Sequence, residues 1–146
     1  MGNNLSKFWA FANVFIVILY FLFQGLFLGL IFISTGIMHW IGYYHLVIFL
    51  VSLPMSLMLI IGIVLKIDFF RKLAIGLTWW SLITAPIVRI ANLIYSSIEL
   101  DDLNYVMEYL LDFRSSYTIV LFILLRIYII LVLRKHNAGY LFSRDE

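Results

Sequence analysis

Four apolar runs, each long enough to cross a bilayer, constrain this chain more than any other feature. They cover about Phe8–Ser34, His45–Leu65, Leu73–Ser97 and Ser115–Leu133. A hydrocarbon core needs about 20 apolar residues of α-helix, and within it every backbone polar group has to be satisfied by the chain itself. The runs therefore read as membrane helices rather than as helices of a soluble core. Composition points the same way. Hydrophobic residues make up 64% of the 146 and charged residues 12%, against about 45–50% apolar and about 25% charged in a soluble domain.

The first run exceeds what a span requires, so it tilts or protrudes. Its length also sets it apart from the 7–15-residue apolar region of a cleaved signal peptide, and no A-x-A-like site follows. The opening MGNNLSK fits the N-myristoylation pattern, but a chain with four spans needs no acyl anchor, and the match reads as coincidence.

Basic residues orient the spans. Lys7, Lys66, Arg71, Lys72, Arg134, Lys135 and Arg144 share one side, while the other side holds Arg114 among Glu99, Asp101, Asp102, Glu108 and Asp112. Lys and Arg accumulate on the cytoplasmic side of short loops, so both termini are expected in the cytoplasm, as in a bacterial inner (plasma) membrane protein. The connections 35–44 and 66–72 are short, which favours antiparallel neighbours. The expected fold is an all-α integral membrane protein: a four-transmembrane-helix, up-down-up-down bundle in a single domain, residues 1–146. A basic cytoplasmic tail occupies about 134–146.

The connection between the third and fourth runs has its own pattern. In ELDDLNYVMEYLLDFR, Leu103, Val106, Met107, Leu110 and Leu111 recur at i, i+3, i+4, i+7 and i+8. That spacing predicts a short amphipathic interfacial helix over about 101–113, capped by Asp101 or Asp102. Glu99, Asp101, Asp102, Glu108 and Asp112 make its surroundings acidic. It serves either as a flat connector or as a docking surface over the outer mouth of the bundle.

Two arginines lie within apolar runs: Arg89 in TWWSLITAPIVRIANLIY and Arg126 in YTIVLFILLRIYIILVL. No Asp or Glu lies in any of the four runs. An uncompensated charge at mid-bilayer costs roughly 2.5–3.5 kcal/mol on insertion scales. Each arginine sits roughly 12 Å from one end of its run at 1.5 Å per residue, and helical side chains lean toward their own N-terminus. In the proposed orientation both lean toward the midplane. Arg89 belongs to a stripe of polar or small residues, Thr78, Ser81, Ala85, Arg89, Asn92 and Ser96, whose spacing of three or four places them on one helical face. Such a face meets protein or water rather than lipid. Pro86 also leaves the Leu82 carbonyl without its helical donor, close to Arg89. The two arginines, with Asn92, Ser81, Thr78 and Ser96, are the candidate site for a ligand or a partner. Candidate charge partners are chain dipoles and water, a carboxylate of another subunit, or a bound anion or lipid.

Gly25 and Gly29 form a GxxxG pair, with Gly36 two turns further on. The motif allows close helix approach, either within the chain or in a dimer. His39 and His45 are six residues apart, which suits no metal site on one helix; with Trp40, Tyr43 and Tyr44 they read as an interfacial aromatic belt. The absence of Cys excludes disulfides, thiolate zinc sites and a cysteine nucleophile. No catalytic constellation, metal cluster or phosphate-cradling loop is present, and a net charge of +2 makes no case for nucleic acid.

The expected function is that of a non-catalytic membrane subunit, without cofactor, that assembles with itself as a homo-oligomer or with another membrane protein. Anchor, regulator, membrane-state sensor and immunity-type roles all fit. The alternative is a small oligomeric channel or carrier for an anionic solute that uses Arg89 and Arg126.

Overall fold

The computed structural model describes residues 2–35, 40–99, 104, 107–108 and 112–143. Within these the chain is all-helical, with five helices and no strand: α1 (Gly2–Thr35), α2 (Trp40–Leu65), α3 (Asp68–Glu99), α4 (Phe113–Leu133) and α5 (Lys135–Phe142). By length and composition α1, α2 and α3 can each cross a membrane, and α4 with α5 makes a fourth span if that bent pair is counted as one. α1 has 34 residues, about 51 Å at 1.5 Å per residue, far more than the ~30 Å hydrocarbon core.

Side-chain contacts set the register. Gly25 and Gly29 of α1 meet Leu53 and Phe49 of α2, so these helices run in opposite directions. Arg71 and Arg89 of α3 meet Leu133 and Thr118 of α4, again in opposite sense. Tyr128 of α4 donates to Asn13 Oδ1 of α1 at 2.7 Å, joining the first long helix to the last.

A tight turn links α2 to α3. Lys66 takes φ 58°, the left-handed conformation common just past a helix end, and the Ile67 N–H returns to the Gly62 carbonyl at 2.9 Å. The chain breaks direction a second time at Arg134, where α4 and α5 meet at 56°. α5 then folds back over the same end of the molecule. Ala138 and Phe142 are fully buried, the ring of Phe142 lies against Gly62, and Lys66 Nζ donates to the Leu141 carbonyl at 3.2 Å. The residues read as a basic tail therefore begin with a packed helix.

The core gathers at this end. Val14, Val17, Ile18 and Phe21 of α1 pack with Met55 and Leu59 of α2, Ala74 of α3, Ile129, Val132 and Leu133 of α4, and Phe142. Around it, large apolar side chains face outward on every long helix, among them Phe23, Ile33, Val64, Ile98 and Leu124. This apolar exterior is what a multi-span helical membrane protein requires.

Asn104, Met107 and Glu108 are helical and exposed, and the Asp112 N–H reaches the Glu108 carbonyl at 3.0 Å. The rest of the predicted amphipathic helix, including Asp101 and Asp102, lies outside the described residues, as do Gly36 and His39.

Candidate functional site

Away from the packed end the four long helices part around a cleft of about 530 Å³. α3 contributes Ala85, Pro86, Val88, Arg89 and Asn92, and α4 contributes Thr118, Ile119, Phe122 and Arg126. Tyr20, Gln24, Phe27 and Leu28 of α1 and Tyr44 and Ile48 of α2 complete the wall. Both arginines of the apolar runs thus line one space, although 37 positions separate them in the chain. No acidic residue is among the lining residues.

The two arginines are held differently. Arg126 is only 2% exposed. Its guanidinium carbon sits 4.7 Å from the Phe122 ring centroid and 5.2 Å from that of Tyr20. Phe122 is four residues earlier on the same helical face, whereas Tyr20 comes from α1. Desolvated cation–π contacts contribute about 2 kcal/mol each, comparable with the roughly 2.5–3.5 kcal/mol insertion cost of the charge. Ring faces stabilise the charge but accept no ordinary hydrogen bond, and Arg126 Nε is buried with no partner within the chain. Arg89 is half-buried, and its Nη2 lies 3.5 Å from Thr118 Oγ1, at the long limit of hydrogen bonding.

A third arginine supplies the contrast. Arg71, 4% exposed, donates through Nε to Asp68 and through Nη1 to the Leu133 carbonyl at 2.7 Å. Its charge is answered by a carboxylate and by the negative end of the α4 dipole. Lys72 Nζ stands 3.1 Å from the other oxygen of Asp68.

The stripe on α3 divides between two spaces. Ala85, Arg89 and Asn92 line the cleft, while Thr78 and Ser81 are buried and border a smaller void nearer the packed end. Thr78 donates to the Ala74 carbonyl at 2.8 Å. Ser96 is half-buried and outside the cleft wall. Glu99, Glu108 and Asp112 are exposed and do not line the cleft. Gly25 and Gly29 serve packing within the chain. A Cβ on Gly25 would stand 2.6 Å from Leu53 Cγ, and one on Gly29 would stand 2.7 Å from Phe49 Cε2.

Tyr20, Tyr44, Thr118 and Phe122 belong to the cleft but carry little signal in the sequence. Only Phe122 was accessible to spacing arguments, through its i, i+4 relation to Arg126. Tyr44 is fixed by α3, its hydroxyl lying 3.2 Å from Thr84 Oγ1. Among the described residues no group of three His, Cys, Asp or Glu side chains is placed to hold a metal ion. The arrangement offers guanidinium, amide and hydroxyl groups in an apolar surround, which is the chemistry of anion recognition. No protein-family model, curated protein or solved structure matches this chain.

Proposed function

We propose that the protein is a non-catalytic, four-span membrane protein whose cleft takes up a small anionic solute, as the binding site of a carrier or of an oligomeric channel. The carrying observation is the meeting of Arg89 and Arg126 in one cleft with Gln24, Asn92 and Thr118 and without a carboxylate. A volume of about 530 Å³ falls in the range of small-molecule sites, about 300–1,000 Å³. In this reading the spans run up-down-up-down in a bacterial-type inner membrane, with the acidic 101–113 segment outside and both termini in the cytoplasm. The packed end then faces the cytoplasm and the cleft lies toward the outer half.

The test is uptake of chloride, nitrate, acetate and inorganic phosphate into proteoliposomes. At least one of these is expected to show saturable uptake, reduced roughly tenfold or more by Arg89→Gln through loss of a charge-assisted contact. If no anion moves, or if Arg89→Gln and Arg126→Gln both transport like the parent chain, the solute reading fails.

A second reading keeps the cleft but gives it to a partner: a membrane subunit whose arginines receive a carboxylate from a neighbouring chain. The face of α3 that brings Ala85, Arg89 and Asn92 to the cleft favours it, since small and polar residues mark packed interfaces between membrane helices. A lipid-nanodisc particle containing one copy and nothing else would count against this reading.

A further inference from the structure

Behind the cleft lies a void of about 30 Å³, bordered by all four long helices. Arg126, Gln24 and Ile48 line both spaces, whereas Phe21, Val51, Ser52, Leu77, Thr78, Trp80 and Ser81 belong to the void alone. Three side-chain polar atoms among the described residues are buried without a partner in the chain: Arg126 Nε, Gln24 Oε1 and Ser81 Oγ. All three residues border this one void. Buried polar groups are nearly always satisfied, so three such atoms around one small, partly open pocket indicate something that binds there.

We propose that the void is a binding site for a single monatomic anion of the chloride or bromide class, distinct from the solute site of the cleft. Size and charge together select that class. A water needs roughly 10–15 Å³ of such space, so about 30 Å³ suits one slightly larger monatomic ion better than a phosphate or carboxylate. Water would satisfy the hydrogen bonds yet bring no negative charge to Arg126, whose ring contacts carry none and beside which no Asp or Glu lines either space. A halide answers both. Arg126 Nε–H and the Ser81 hydroxyl donate to it, and a half-turn of the Gln24 amide presents N–H in place of Oε1. Thr78 takes no part as a donor, because its proton already serves the Ala74 carbonyl. The site stands whether or not the cleft carries a solute, since Ser81 touches only the void and Arg89 only the cleft.

Bromide is the probe. The 146-residue protein in nanodiscs, in chloride-free gluconate buffer, is titrated with bromide while the line width of the bromide NMR signal is followed. Crystals grown in sodium bromide supply anomalous difference maps. Saturable broadening is expected, with an anomalous peak within hydrogen-bonding reach of Arg126 Nε. Ser81→Ala, which removes no hydrogen bond within the chain, should lower the anomalous peak beside Arg126 Nε and weaken binding at that site roughly tenfold, while Arg89→Gln, which alters only the cleft, leaves that peak in place. The proposal is overturned if broadening does not saturate, if the peak at Arg126 is absent, or if Ser81→Ala binds like the parent. Loss of the peak beside Arg126 Nε in Arg89→Gln with its retention in Ser81→Ala would place the ion in the cleft and overturn it equally.

Discussion

Arg71, Arg89 and Arg126 carry the same charge into three different environments, and the differences separate structural from functional roles. Arg71 ties α3 to the end of α4 through Asp68 and the Leu133 carbonyl. Removing it leaves a buried carbonyl without its donor, at a cost of about 1–3 kcal/mol. Arg126 is wrapped by aromatic rings yet has an unanswered Nε. Replacing a buried charge by an apolar side chain of similar length is often neutral or stabilising. Arg71→Met is therefore expected to lower unfolding stability in mixed micelles by about 2 kcal/mol, whereas Arg126→Met leaves it unchanged or raises it by about 1 kcal/mol while abolishing anion binding. Equal destabilisation by the two substitutions would make Arg126 a structural residue and remove the main support for the anion site.

At the scale of helices, α1 and α2 approach so closely at Gly25 and Gly29 that any side chain meets Leu53 or Phe49. Overpacking of this kind costs about 1–3 kcal/mol. Gly76 on α3 has nothing within 4 Å of the same position, so alanine there gains about 0.5–1 kcal/mol of helix propensity. Thermal unfolding in detergent should thus drop for Gly25→Ala and Gly29→Ala and hold or rise for Gly76→Ala; a common shift in all three would mean that α1 and α2 are not packed as described. The GxxxG spacing made a close approach legible, but not the choice of α2 over a second chain, because both partners present the same kind of apolar surface. The presence and order of the long helices were legible from apolar length, although α1, α2 and α3 begin five or six residues ahead of their apolar runs, and the polar face of α3 was legible from its spacing. The meeting of Arg89 and Arg126 was not, because it depends on the register of α3 against α4 and on how far α1 brings Tyr20 across. Nor was the packing of α5, whose eight residues offer only Ala138, Leu141 and Phe142 as an apolar face.

Taken as a whole molecule, the helices form a bundle apolar both outside and in its packed core, closed at one end and parted at the other. The closed end collects Lys7, Lys66, Lys72, Arg134 and Lys135, and the far end collects Glu99, Glu108 and Asp112. In the proposed reading the positive closed end faces the cytoplasm, as the charge rule expects, and the cleft lies nearer the outer face, where an external anion would first be met. This orientation depends on whether α4 crosses, since α1, α2 and α3 are each long and apolar enough to span alone and the fourth is a bent pair with α5. Asp112 precedes that pair and Ser143 follows it. The chain has no native Cys, so a single introduced thiol reports its own side without background. In intact cells a membrane-impermeant maleimide should label Asp112→Cys at once and Ser143→Cys only after lysis. If both thiols label in intact cells, or both only after lysis, α4 does not cross, Arg126 no longer needs an answer to a lipid environment, and the argument for an intramembrane anion site fails with it.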